Sequence, residues 1–184
     1  MKTVKTAGKE ATLYHFTGMV AEAGKNMETI VSGGGGGGYS YQGTGGSAPV
    51  TISSRTVIHD QFFLVDKNGN ERAFQLQGFN IACRKDNKLT VIWGIKKGER
   101  NGPYIIVHNF STHETFYKDV LIGKLFVPNQ LLVFGGFVLG IILLWQVIGW
   151  YSLIVAVVAF VKINSWFKSQ INQFKKDLNF SEFA

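Results

Sequence analysis

Histidine, cysteine and carboxylate side chains are the groups in this chain that could bind a metal ion or transfer protons. The chain has four histidines and one cysteine, and their spacing matches none of the established zinc-binding patterns. In two places an acid directly follows a histidine, as in His59-Asp60 and His113-Glu114. Consecutive side chains of a strand point to opposite faces, so neither pair forms an oriented dyad by itself. A metal site assembled from distant strands stays open as an alternative.

Motifs for covalent or acid–base catalysis are missing from the sequence. No Gly-x-Ser-x-Gly turn presents a nucleophilic serine, and no pair of carboxylates has the arrangement of a glycosidase. Cys83 lies in an alternating segment and is expected to be a small buried hydrophobic residue. A single cysteine cannot form an intramolecular disulfide, which fits a reducing compartment. We therefore predict that the chain is not an enzyme and that it uses no cofactor.

A run of glycines could bind an anion or a neighbouring chain through its backbone. Residues 33–38 are all glycine, and a Gly-rich loop is predicted over residues 33–47, including Tyr39 and Tyr41. The default interpretation is a flexible loop, because glycine and serine bury too little apolar surface to order themselves. The alternative is a binding loop in which the two tyrosines contact a partner. The Gly-Lys-Ser/Thr sequence of a phosphate-binding P-loop is absent.

Basic residues give the chain a formal net charge of +7. They occur in several clusters, and one of these forms the tip of a predicted hairpin with Lys96, Lys97 and Arg100. No helix-turn-helix, zinc-finger or RNA-recognition pattern accompanies them. The charge therefore favours contact with anionic lipid head groups over contact with nucleic acid. Together with Tyr39 and Tyr41, the three basic residues are the predicted contacts for a partner protein, which the sequence does not identify.

The longest apolar run in the chain, residues 131–163, predicts the helices that would hold the basic and glycine-rich segments at a membrane. It contains few strongly polar residues, namely Gln146, Ser152 and Lys162. A bilayer core about 30 Å thick takes about 20 helical residues, so this run is too long for one comfortable span. Gln146 and the following Gly-Trp-Tyr sequence favour a turn in the middle. We predict a transmembrane helical hairpin over residues 129–167. One long tilted helix and a buried hairpin of a soluble protein are the alternatives.

Charged and small residues indicate how this hairpin would be oriented and packed. Lysines precede and follow the apolar run, whereas its central turn has no Lys or Arg. By the positive-inside rule, both termini of a two-pass protein then lie in the cytoplasm. Pro128 suits the start of the first helix. Gly135, Gly136 and Gly140 form a small-residue surface that permits helix packing and a homo-oligomer.

Residues 168–184 are predicted to form a basic amphipathic tail. Apolar residues recur at three- and four-residue spacing here and just before it, with lysines on the other side. This helix could lie in the headgroup layer, pack on the β-rich domain, or pack on the tail of a neighbouring chain. Surface anchoring is the simplest of these interpretations. The predicted membrane-surface residues are Lys162, Trp166, Phe167, Lys168, Lys175 and Lys176.

Strand signals dominate residues 1–119, which we predict to be a cytoplasmic β-rich domain joined to the membrane segment by a link at residues 120–128. Seven or eight short strands are typical of a small SH3-like or OB-like barrel or of a sandwich. Three hairpins are predicted: residues 60–65 with 72–77 around Asn68-Gly69, residues 88–95 with 104–109, and residues 13–21 with 27–32 around residues 22–26.

These expectations combine into a membrane-anchored β-domain that acts as an interaction or scaffold module at the cytoplasmic face of a membrane. The first alternative is a subunit of a homo-oligomeric channel or pore-like assembly, because two helices alone enclose no pore. The second alternative is a small-ligand sensor that binds an anion near the Gly-rich loop and signals through the membrane hairpin.

Overall fold

The computed structural model describes residues 1–41, 44–47, 49–127 and 130–184. The chain divides into two compact units: the first comprises Met1–Met19 and Asn87–Ala184, and the second comprises Val20–Asp86. The helix start predicted at Pro128 and Asn129 lies outside the described residues, as do Gln42 and Gly43 of the predicted Gly-rich loop.

Over the described residues the chain is mainly antiparallel β-structure followed by helices, as predicted. The strands are β1 (Lys2–Thr6), β2 (Lys9–Gly34), β3 (Gly38–Tyr41), β4 (Thr44–Ser47), β5 (Thr51–Val65), β6 (Glu71–Gln77), β7 (Lys88–Lys96), β8 (Tyr104–Asn109) and β9 (Glu114–Tyr117). The helices are α1 (Asp119–Phe126), α2 (Gln130–Ile148) and α3 (Tyr151–Asp177), and a short 3-10 turn over Phe180–Phe183 follows α3.

The sheet of the first unit is built from antiparallel neighbours. The first part of β2 pairs with β1 on one side and with β7 on the other, so that Ala11 lies opposite both Val4 and Lys96. β7 pairs with β8, with Val91 opposite Val107, and β8 pairs with β9. The predicted pairing of residues 88–95 with 104–109 is therefore confirmed.

Apolar side chains of α1 and α3 pack against this sheet and form the core of the first unit with it. The rings of Phe126 on α1 and Phe174 on α3 lie 5.0 Å apart between centroids. Gly94 on β7 allows α1 to approach, because a Cβ added there would lie only 2.5 Å from Leu125 Cδ1. Burial of such large apolar side chains contributes about 1.5–3 kcal/mol each. The buried cluster also includes Leu13, Ile92, Ile105, Ile106, Ile122, Leu178 and Phe183.

The second unit contains the hairpin predicted from Asn68-Gly69. β5 pairs antiparallel with β6, with Phe62 opposite Phe74, which confirms this prediction. Gly69 has φ +80, as the tight turn requires. The side-chain amide of Asn70 donates to Asp66, and the backbone N–H groups of Asn68 and Asn70 donate to Asp66 as well. These hydrogen bonds, led by that of the Asn70 side chain, lower the pKa of Asp66.

The hairpin predicted around residues 22–26 is wrong, because β2 runs through them without a break. None of residues 22–26, all described here, has the positive φ that is typical of a two-residue hairpin turn. This part of β2 makes side-chain contacts with the neighbouring strand β5 instead. Asn26 Nδ2 donates to Gln61 Oε1 at 3.1 Å, and Glu28 Oε2 lies 3.2 Å from His59 Nε2.

The predicted closed barrel is not found either. The strand order is β6-β5-β2-β7-β8-β9, with β1 paired to β2, and β3 and β4 pair with each other in a separate two-stranded sheet. In the described part of the chain, no pairing joins β6 to β9. The core helices explain why closure is unnecessary in the first unit, since α1 and α3 bury the sheet face that a barrel would bury against its opposite wall.

A two-residue turn, Gly149 and Trp150, connects α2 to α3. Gly149 in this turn has φ +56, and the Phe137 and Phe160 rings of the two helices lie 5.7 Å apart. Among the described residues, one helix, α3, is long and apolar enough to cross a membrane by length and composition. Only 6% of its apolar window is buried, in contrast to the core helix of a soluble protein. α3 continues past Phe167 into the residues that were predicted as a separate tail.

Candidate functional site

A cleft of about 870 Å³ lies in the first unit between α1, α3 and the facing ends of β2 and β7. Four lysines line it: Lys9, Lys96, Lys124 and Lys168. Beside them lie the apolar side chains of the lining, which we call the apolar wall: Val120 of α1, Val127 just after α1, and Phe167 and Ile171 of α3. We refer to this feature as the basic cleft.

The registers of the two helices place these side chains. α1 buries Ile122, Leu125 and Phe126 against the sheet, which leaves Gly123 and Lys124 to line the cleft. On α3, Phe167 and Ile171 precede the buried Phe174 by about two turns and one turn, and both line the cleft. A Cβ added at Gly123 would lie 3.7 Å from Ile171 Cδ1, so the helices approach closely here.

The basic cleft carries more positive than negative charge. Asp119 is the one carboxylate among the described lining residues. It forms an ion pair with Lys175, with 2.5 Å between Oδ1 and Nζ. Lys96 Nζ lies 3.7 Å from Glu99 Oε1. Within the described ranges, the other three cleft lysines have no ion-pair partner. Lysine ammonium groups donate only, so this surface is suited to bind an anion.

Lys175 joins α3 to the sheet through contacts with two neighbouring residues, Asp119 and Tyr117. Its Nζ lies 4.8 Å from the centre of the Tyr117 ring on β9, a cation–π contact, in addition to the ion pair with Asp119. Burial raises the pKa of Tyr117. A second ion pair, from Lys2 Nζ to Glu182 Oε2 at 2.8 Å, joins β1 to the 3-10 turn.

Two of the four histidines lie under the 3-10 turn. The His15 ring contacts Phe183 edge to face, with 5.0 Å between centroids, and the His108 ring stacks on Phe180 at 4.3 Å. His108 Nδ1 lies 2.8 Å from Thr115 Oγ1. Burial lowers the pKa of both histidines, and the positive N-terminus adds to this for His15. The site therefore favours neutral imidazoles.

A buried carboxylate marks the second unit. Asp60 is 2% exposed; its Oδ1 accepts the Ile81 backbone N–H at 3.2 Å and lies 3.9 Å from Lys25 Nζ. In the part of the chain that the structure describes, Asp60 Oδ2 has no hydrogen-bond partner. Cys83, predicted to be buried, is half-buried. Burial raises the pKa of its thiol, and the charge of Asp60 acts in the same direction.

The predicted partner contacts are not gathered into one site. Lys96 lines the basic cleft, Lys97 Nζ lies 3.5 Å from Glu10 Oε2, and Arg100 is exposed in the β7–β8 connection. The backbones of Tyr39 and Tyr41 lie on β3, paired with β4, and their side chains fall outside the described part of the structure.

The predicted helix-packing glycines remain open to contact. A Cβ added at Gly135, Gly136 or Gly140 would meet no described atom within 4 Å. In the part of the chain that the structure describes, α3 therefore leaves this glycine surface uncovered.

The predicted membrane-surface residues lie in different settings along α3. Phe167 and Lys168 line the basic cleft, and the Trp166 ring lies 5.0 Å from that of Phe167. Lys162 and Lys176 are exposed, whereas Lys175 takes part in the contacts that join α3 to α1 and β9.

Sequence reasoning missed Lys9, Lys124 and Asn164 as members of a common site. Lys124 could have been noticed, since it is the last basic residue before the apolar run. Lys9 could not, because only the pairing of β2 with β7 brings it near residues so distant in sequence.

Within the described residues, no three His, Cys, Asp or Glu side chains lie close enough to share a metal ion. Comparison of the chain with models of protein families, with curated proteins and with solved structures found no match.

Proposed function

We propose that the chain is a membrane-anchored β-domain that acts as an interaction or scaffold module at the cytoplasmic face of a membrane. The course of α3 is the observation that carries this proposal. Its first part is apolar and exposed, with Ile154 and Val157 more than 60% accessible, whereas Phe174 near its other end is buried in the core of the first unit. One continuous helix would therefore serve both as membrane anchor and as part of the β-domain core.

The lengths of the two helices support a hairpin of two spans. α2 has 19 residues, which is about 28 Å, and the part of α3 up to Phe167 is about 25 Å long. A bilayer core of about 30 Å can thin locally by this small difference. The Gly149 turn and the contact between Phe137 and Phe160 would hold the spans together.

The distribution of lysines supports cytoplasmic placement of both termini. Lys124 precedes the proposed spans and Lys168 follows them, while the turn at Gly149 has no basic neighbour in the sequence. This asymmetry agrees with the positive-inside rule for a two-pass protein.

An exposed ribbon in the second unit supports the interaction role. Residues 21–34 of β2 and 51–56 of β5 are exposed throughout. Apolar side chains are among them, with Met27 at 72%, Val31 at 64% and Ile52 at 70% accessibility. Exposed apolar residues on extended strands are suited to contact a segment of a partner protein.

Cysteine accessibility in membrane vesicles tests the proposed topology. In a Cys83→Ser background, single cysteines replace the exposed residues Lys67, Trp150 and Lys176. We expect a membrane-impermeant maleimide to label positions 67 and 176 from the cytoplasmic side and position 150 from the opposite side. Labelling of 67 and 176 from opposite sides would establish one span. Recovery of the protein outside the membrane fraction would refute the anchoring itself.

The glycine surface of α2 favours a second candidate, a homo-oligomeric channel-like assembly. Since α3 leaves Gly136 and Gly140 open among the described residues, a second copy of the chain could pack there. Light scattering in detergent should then show a lower mass for Gly136→Leu and Gly140→Leu, while the control Val138→Leu keeps the wild-type mass. An unchanged mass in the glycine variants would remove this candidate.

A further inference from the structure

We propose that the basic cleft binds one anionic phospholipid, with the lipid phosphate among the lysines and the first part of the acyl chains against the apolar wall. This inference rests on the proposed function, because the cleft must open at a membrane surface. It goes beyond general attraction of basic residues to an anionic leaflet, since it assigns a single lipid molecule to a defined site.

The position of the cleft along α3 matches the depth of lipid head groups. Lys168 directly follows Phe167, where the apolar part of the helix ends, and both residues line the cleft. Val127, on the opposite side of the cleft, immediately precedes the segment that leads into α2. With the apolar part of α3 in hydrocarbon, a lipid of the same leaflet reaches the cleft without leaving the bilayer.

The charge of the cleft suits a phosphate diester. Asp119 is paired with Lys175, so it does little to offset the cleft lysines. Lys9, Lys124 and Lys168 have no ion-pair partner among the residues described. Close to the membrane, such lysines attract anionic lipid head groups. The amide of Asn164, also in the cleft lining, can donate a hydrogen bond to a phosphate or ester oxygen.

The apolar wall distinguishes a lipid from a small soluble anion. Val127, Phe167 and Ile171 line the cleft beside the lysines. Its volume of about 870 Å³ lies within the range of about 300–1,000 Å³ that is usual for small-molecule sites. Inorganic phosphate would fill a small part of this space and would leave the apolar wall in water. An amphiphile with an anionic head satisfies both parts of the site.

Lipid retention by the intact protein tests the proposal. The full chain in nonionic detergent is mixed with equal amounts of phosphatidylglycerol and phosphatidylcholine, and bound lipid is counted by native mass spectrometry. Lys124→Gln/Lys168→Gln removes two unpaired cleft lysines. The matched control Lys67→Gln/Lys85→Gln removes the same charge at exposed positions outside the cleft lining.

We expect the wild type to retain one phosphatidylglycerol. The affinity should fall about thirtyfold in the cleft variant, about fivefold for each lysine removed from beside the lipid phosphate. The control variant should stay within about twofold of the wild type. Equal loss in the two variants would overturn the site. So would equal retention of phosphatidylcholine, or displacement of the lipid by inorganic phosphate at the same concentration.

Membrane sedimentation of the same wild-type preparation separates this proposal from the proposed function. Protein that sediments with membranes but retains no phosphatidylglycerol would overturn the lipid site alone. Protein recovered in the soluble fraction would overturn both proposals.

Discussion

Replacing Phe174 with alanine tests whether α3 belongs to the β-domain core. The Phe174 side chain is 4% exposed and lies in the same cluster as Phe126 and Leu125 of α1. Truncating a buried phenylalanine costs about 3–5 kcal/mol, because the apolar contacts are lost and a cavity remains. For a chain of 184 residues, each kcal/mol lowers the melting temperature by about 2–4 °C. We therefore expect a decrease of at least about 6 °C.

Thermal unfolding of the full chain in detergent, followed by circular dichroism of the β-structure, measures this decrease. Gln173→Ala is the matched control on the same turn of α3. Gln173 is exposed, and its Nε2 donates to Asp177 Oδ1 at 2.8 Å, a pair of the i,i+4 type worth about 0.2–0.5 kcal/mol. The control should melt within about 2 °C of the wild type. If Phe174→Ala melts as the control does, the docking of α3 on the sheet is refuted.

Two further changes test the packing of the first unit. Burial lowers the pKa of His15 below its unfolded value near 6.5, so the unfolded chain binds more protons and stability is lost as the pH falls below about 6.5. Unfolding measured from pH 7.5 to 5 should therefore show a shallower loss of stability for His15→Leu than for the wild type. An unchanged slope in His15→Leu would contradict this. A Cβ at Gly102 would collide with the Gly94 carbonyl oxygen, so Gly102→Ala should cost about 1–3 kcal/mol in denaturant unfolding. The control is Gly24→Ala, which should change stability little because no described atom lies within 4 Å of the new Cβ. Equal losses of stability in the two variants would count against the close approach of Gly102 to Gly94.

Local signals were sufficient for two of the three predicted hairpins. Asn68-Gly69 supplies the positive φ that a tight turn requires, and the flanking segments alternate as strands do. Around Gly24 the composition also resembles a turn, yet the segment is extended because β2 has β5 as its neighbour over this stretch. Strand composition alone does not reveal such a long-range partner, so the hairpin prediction failed there.

The sequence determines the apolar character of α3 more completely than it determines where α3 docks. The apolar character of α3 is explicit in its residues, and the helix is long and apolar enough to cross a membrane. The amphipathic pattern that continues through Phe174 and Leu178 left three possible partners for the apolar face. The structure packs both side chains into the first unit, where the sheet and α1 bury them.

The sequence did not predict the basic cleft, because its residues are far apart in the chain and are brought together only by the fold. Its lysines come from β2, β7, α1 and α3, and no spacing in the sequence links Lys9 to Lys124 or Lys168. Only strand pairing and the close approach of α1 to α3 bring them together. Lys96 was singled out for its position in a charged hairpin connection, which indicates exposure but not a shared site.

Carbodiimide crosslinking of the membrane-embedded protein tests most directly whether one helix both anchors the chain and completes the β-domain. The reagent joins a carboxylate to an amine when the two groups are in contact, as Asp119 and Lys175 are at 2.5 Å. Lys2 and Glu182, at 2.8 Å, provide a second pair. We expect mass spectrometry of protein recovered from sedimented membranes to identify both crosslinked peptides. Membrane-bound protein that lacks the link between Asp119 and Lys175 would contradict the docked helix, and crosslinked protein found only in the soluble fraction would contradict the anchor.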